Sequence, residues 1–120
     1  MGTWSIGSVA NAVQNMIPNV PAGISGAQML DIAERKLQYV NEWTGLSNGS
    51  NSIPLRVQPP VMNLTASEVL FMIHTYGGDV HIGDTSFGNS ALNSAKMLEE
   101  RGMKELRAIG RKLQVYKAFG

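Results

Sequence analysis

Cysteine is absent from the 120 residues, which excludes a disulfide scaffold, a thiolate metal site and a cysteine nucleophile together. Charge is sparse at 16% and aromatic residues are few at 7%. Ten Lys and Arg nearly cancel nine Asp and Glu, so total charge points to no polyanionic partner. No apolar run reaches the roughly 18 residues of a membrane span. Residues 1–22 lack the basic start and unbroken apolar stretch of a secretory signal, because Ser5, Ser8, Asn11, Gln14, Asn15 and Asn19 interrupt them. What is present is 43% hydrophobic residues in 13.0 kDa, the composition of one soluble domain. A chain this long buries roughly 60–70% of its unfolded surface, enough for a core without cross-links.

The charge is unevenly placed. The first charged side chain is Asp31. Residues 1–100 carry four basic and eight acidic side chains, whereas residues 101–120 carry Arg101, Lys104, Arg107, Arg111, Lys112 and Lys117 against Glu105 alone. The chain is a charge dipole along its length, with an acidic body and a basic end.

Periodicity reads as helix throughout. Trp4, Ile6, Val9, Val13, Met16 and Ile17 recur mostly at three- and four-residue steps, as one face of a first helix does. That face serves either the domain's own core or a neighbouring subunit; a membrane surface fits poorly without Lys or Arg on the polar side. Pro18, Pro21 and Gly23 end it. Ser25 with Gln28 forms a capping box for a second helix through Leu30, Ala33, Leu37 and Val40, stopped by Gly45 in the left-handed conformation. Residues 46–63 hold Pro54, Pro59 and Pro60 and read as a long loop whose tip is 48–52, with Ile53, Leu55 and Val57 alternating with Pro54 and Arg56 as a short extended segment able to pair with another strand edge.

A third helix is predicted to start at Thr65-Ala66-Ser67-Glu68, where Thr65 and Glu68 form a capping box and Leu64 and Val69 a hydrophobic staple. Its apolar richness marks it as the central helix, ending at Gly77 and Gly78. After an extended turn over 79–89, a last helix of about 28 residues carries Leu92, Ala95, Leu98, Gly102, Leu106, Ile109, Leu113 and Tyr116 on one stripe. Gly102 and Gly110 each cost about 1 kcal/mol against alanine there, so each marks a close approach or a kink. The expected fold is all-α, a bundle of about four helices with a long C-terminal helix and a long proline-containing loop. The domain divides into an N-terminal arm (1–24), a helical core (25–110) and a projecting C-terminal end (111–120).

Catalytic chemistry finds no foothold. The densest group of potential metal ligands is His74, Asp79, His81 and Asp84, whose spacing matches no zinc or di-metal motif and suits turn chemistry better. No nucleophile elbow, Walker A loop or dinucleotide fingerprint occurs. The expectation is a non-enzyme without metal or other cofactor. The basic last helix leaves a small helical DNA-binding or regulatory protein as an alternative, although cations are also favoured near a helix C-terminus by the macrodipole and no helix-turn-helix reader is evident.

Two segments resemble the head-tail connector (adaptor, or head-completion) proteins of tailed bacteriophages. One is Ala33-Glu34-Arg35-Lys36-Leu37-Gln38-Tyr39-Val40-Asn41-Glu42-Trp43-Thr44-Gly45, similar to that family's early helix ending in Thr-Gly. The other is Ile82-Gly83-Asp84-Thr85-Ser86 followed by Leu92 to Arg111, similar to its Gly-Asp-x-Ser turn and long Leu/Ala-rich helix. The resemblance spans roughly residues 25–115. It implies a virion protein, made in the host cytoplasm, that forms a homo-oligomeric ring of about a dozen copies between the portal and the tail or stopper protein. The ring would extend a channel through which double-stranded DNA passes without sequence specificity, and no membrane is involved. By position, portal docking falls on Lys112, Leu113, Val115, Tyr116, Lys117 and Phe119. Ile53, Leu55, Arg56 and Val57 form the candidate loop for subunit or tail contacts, and Lys104, Arg107 and Arg111 the candidate basic face for subunits or channel. A dipolar subunit closes into a ring by head-to-tail contacts.

Overall fold

The computed structural model describes residues 3–17, 20, 23–75 and 91–119, with side chains to Gly110. Four helices follow in order: α1 (Ile6–Met16), α2 (Gly26–Thr44), α3 (Gln58–Thr75) and α4 (Ala91–Phe119). Among the described residues there is no strand, only an isolated antiparallel bridge between Trp4 and Ile53.

Local chemistry fixes the ends of the first two helices. Ser5 caps α1 by accepting from the Ser8 amide, and the Ser8 hydroxyl returns the favour to the Ser5 amide. This box is disguised in the sequence because serine stands where Glu or Gln usually does. Ile17 follows α1 in the extended conformation, as the residue before a proline prefers. In α2 the Ser25/Gln28 box forms as the sequence predicts, and Gly45 ends the helix at φ 75°, where a side chain would be strained.

The third helix departs from the sequence expectation. It starts seven residues early, at Gln58, so Thr65 is an interior residue and not a cap. Pro59 and Pro60 occupy the first turn, whose amides have no acceptor within the helix, and there proline's missing N–H costs nothing. Thr65 is fully buried, and its hydroxyl donates to the Val61 carbonyl at 2.7 Å. Leu64 and Val69 belong to the core of a continuous helix instead of stapling its start. The connection is shortened accordingly to residues 46–57.

That connection is tied down from three sides. Asn41 of α2 donates its amide to the Asn48 carbonyl at 2.9 Å and accepts from the Asn48 backbone and side chain. The residues before and at the start of α1 hold its middle: Trp4 and Ile53 exchange backbone bonds of 2.9 and 2.8 Å, and the Ile6 amide donates to the Ser50 carbonyl. At its far end the buried Gln58 side chain donates to the Ile53 carbonyl at 3.1 Å. The extended segment read as able to pair with another strand edge thus bridges to Trp4 of the same chain.

Helix α3 is the hub. Buried residues occur all round it, from Val61 and Ala66 to Leu70 and Ile73, and α1, α2 and α4 each pack against it. Each fully buried Val, Leu or Ile contributes about 1.5–3 kcal/mol. Its closest partner is α4. The buried Ser67 hydroxyl donates to the Ala95 carbonyl at 2.8 Å, Leu64 faces Gly102, and the Asn63 amide donates to Glu105 at 2.7 Å. Residue numbers fall along one helix as they rise along the other, so α3 and α4 are antiparallel. Tyr39 meets Met103 and Trp43 meets Gly110, which makes α2 parallel to α4. The small residues Ala91, Ser94, Ala95 and Gly102 let α4 lie close against its neighbours.

Candidate functional site

The surface that carries unspent chemistry is the outer side of α4. Leu98, Gly102 and Leu106 are buried, which turns Lys104 and Arg107 into solvent, with Arg101 exposed on an adjoining row. Backbone positions 104, 107 and 111 fall within one sector of about 60° on a helix turning 3.6 residues at a time, and the side chains of Lys104 and Arg107 are exposed along it. Of the three acids of α4, Glu105 lies on the flank toward α3, where its carboxylate accepts from the buried Asn63 amide at 2.7 Å, while Glu99 and Glu100 are exposed, Glu100 one turn before Lys104. Among the described residues the cations of α4 enter no ion pair.

The seam beside this line is closed by aromatic residues of α2. Trp43 lies over Gly110 so closely that a Cβ there would collide with its six-membered ring, and the Tyr39 hydroxyl reaches the Met103 sulfur at 3.8 Å. Both rings remain about two-fifths exposed. Gly110 thus serves a close approach, and the neighbour is an indole ring and not a backbone. At Gly102 an added Cβ would meet the Leu64 side chain at 3.0 Å, again a close approach.

Part of the acidic body is, by contrast, matched within itself. Glu68 of α3 is held by Arg35 at 2.6 Å and Lys36 at 2.9 Å, and Arg35 also reaches Asp31 at 3.2 Å. Burial raises the Glu68 carboxyl, but the hydrogen bonds and charges of Lys36 and Arg35 outweigh it and hold the group below the usual carboxylate range. The reciprocal effect of Glu68, with Asp31, raises Arg35. Glu34 accepts from the Ser50 hydroxyl at 3.1 Å, which ties α2 to the 46–57 connection.

The residues singled out from the sequence separate cleanly. Ile53 and Val57 are fully buried in the core and are removed from the candidate contact loop, while Leu55, 71% exposed, and Arg56 stay on the surface. Lys104 and Arg107 share the exposed side of α4. Arg111, Lys112, Leu113, Val115, Tyr116, Lys117 and Phe119 lie on the α4 backbone, with side chains outside the described residues. His74 is exposed in the last turn of α3; Asp79, His81 and Asp84 lie outside the described residues, as does the 82–86 turn. Among the described residues no three His, Asp or Glu side chains gather where they could hold a metal ion, and no helix is long and apolar enough to cross a membrane.

Sequence reasoning missed the Glu68 cluster and the Trp43–Gly110 contact. Glu68 was read as a capping residue because its spacing from Thr65 is right; no local signal pairs it with α2. The costly glycine at 110 did signal a neighbour, without saying which. No family model matches the chain, and neither the curated proteins nor the solved structures contain a match to it.

Proposed function

We propose that this chain is a structural adaptor of the head-tail connector kind, a non-catalytic virion subunit that assembles into a ring between portal and tail. The observation that carries the reading is the length of α4. Its 29 residues amount to about 43 Å, against about 27 Å for the 18 residues of the central α3. The helix continues nine residues past Gly110, whereas α2 ends at Thr44, one residue after Trp43. A bundle does not need that extension for its own core, and a subunit that must reach a second protein does. The resemblance of residues 33–45 and 82–111 to connector proteins supports the same reading, with Lys112, Leu113, Val115, Tyr116, Lys117 and Phe119 as the docking end.

In this reading the mechanism is geometric. The bundle supplies a wedge, α4 supplies reach, and the exposed Leu55 and Arg56 of the 46–57 connection supply a lateral or tail-side contact.

Native mass spectrometry over a range of protein and salt concentrations, alone and with a portal ring, tests the proposal. A discrete assembly of about a dozen copies, formed alone or on the portal, is the expected result. A salt-dependent dimer that captures duplex DNA and ignores the portal overturns it in favour of a regulatory DNA-binding protein.

A further inference from the structure

We infer that the outer side of α4, centred on Lys104 and Arg107 with Arg101 beside them and position 111 in line, is a docking surface for the phosphodiester backbone of double-stranded DNA. The argument begins with charge that is left over. From residue 101 to residue 112 the sequence holds five cations and one acid. The fold turns that acid, Glu105, toward α3 and Asn63, which leaves the solvent side basic. Lys104 and Arg107 stand one turn apart on the exposed side, with Glu100 a turn before Lys104 as the nearest acid, so the repulsion between the two cations is one that a polyanion would relieve.

A second copy of the chain is the less fitting partner. Its counter-surface would have to be acidic and contiguous, whereas Asp31 and Glu68 are paired with Arg35 and Lys36, and the described acids without a cation partner are dispersed, Glu34 and Glu105 being hydrogen-bonded to Ser50 and Asn63 and Glu42 standing as a single exposed acid on α2. The exposed pair Glu99–Glu100 stands on the same helix with Lys96, Arg101 and Lys104 around it, which leaves little net negative potential. Single strands also fit less well than duplex. They are held by bases stacking on free aromatic faces, whereas Trp43 lies over Gly110 and Tyr39 reaches Met103. What α4 offers is exposed cations one turn apart, suited to phosphates and blind to sequence. On the connector reading this would be the side that meets the packaged DNA; the surface itself does not depend on ring formation, and its test is separate.

The test is fluorescence anisotropy of a random-sequence labelled duplex titrated with the full chain, between about 50 and about 200 mM salt, for wild type, the double variant Lys104→Gln/Arg107→Gln and the control Arg35→Gln, which removes an exposed cation of α2. Circular dichroism verifies that each is folded. The expected result is wild-type binding whose log-log salt slope drops by about two in the double variant, with roughly tenfold weaker affinity at the lower salt and no change for Arg35→Gln. Absence of wild-type binding at the lower salt, or a double variant that binds like wild type, overturns the inference. Equal competition by polyglutamate at matched charge also overturns it, and assigns the surface to an acidic protein. A discrete ring in native mass spectrometry with no DNA binding would sink this inference and leave the adaptor reading standing; DNA binding by a monomer or dimer that ignores the portal would do the reverse.

Discussion

Helices α3 and α4 lie side by side and are built on opposite principles. Helix α3 buries residues on every side, including Asn63, Thr65 and Ser67, and has hardly any surface to offer. Helix α4 buries one stripe, Ala91, Ala95, Leu98, Gly102 and Leu106, and leaves a charged ridge in solvent. The polar groups in α3 cost little because each is answered: Thr65 by its own helix, Ser67 by the Ala95 carbonyl, Asn63 by Glu105. The difference teaches where stability and interaction reside. Substitutions in α3 should act on folding, and those on the outer side of α4 should act on what the folded chain meets.

The comparison breaks most readily in the core. Leu70→Ala removes a fully buried side chain from the hub and should cost about 2–5 kcal/mol, read as a shift in the urea midpoint at unchanged slope. A loss under 1 kcal/mol would mean that α3 is not the hub. Next comes the seam with α2. Gly110→Ala should gain about 1 kcal/mol of helix propensity, yet it must displace the Trp43 ring, and overpacking of this kind costs about 1–3 kcal/mol. We expect net destabilisation with an altered tryptophan emission spectrum, and recovery of the propensity gain when Trp43→Ala is combined with it. Additivity of the two substitutions would refute the contact.

Smaller still is the Glu68 cluster. Glu68→Gln should cost about 0.5–1 kcal/mol near neutral pH, because Arg35 is more than half exposed and its pairing is screened by solvent. The folded-state pKa of Glu68 lies below the unfolded value, so its contribution is complete above the unfolded carboxylate pKa and drains away as pH falls through the folded one. The gap between wild type and variant in urea unfolding should close over that acidic range, and a gap that widens on acidification would invert the assignment. The smallest effect belongs to the ridge: Lys104→Gln/Arg107→Gln should leave stability within about 0.5 kcal/mol of wild type, since neither cation is paired among the described residues. A larger loss would mean that the ridge packs against the chain itself.

Much of this architecture is legible in the residues. The helical character of the described residues follows from three- and four-residue apolar spacing, and the two ends of α2 follow from Ser25, Gln28 and Gly45. The start of α3 was misread because two prolines look like loop and Thr65–Glu68 looks like a cap. Local rules cannot distinguish a proline that breaks a helix from one in its first turn, since the difference lies in where the preceding chain is held. Ile53 and Val57 were misplaced for a related reason: alternation says that one side is apolar, and only the Trp4 bridge decides that this side turns inward.

The sequence by itself determined the helical class, the two caps of α2, the excess of cations after residue 100 and the positions of glycines that mark a close approach or a kink, because each rests on spacing along one chain. Only the tertiary structure decided that α3 is the hub, that Trp43 is the neighbour of Gly110, that Glu68 draws on Arg35 and Lys36, and that Glu105 is turned toward Asn63 while Lys104 and Arg107 stay in water. Those are contacts between residues 32 to 67 positions apart, set by which faces α2, α3 and α4 bury against one another, and no periodicity within a single helix encodes its partner.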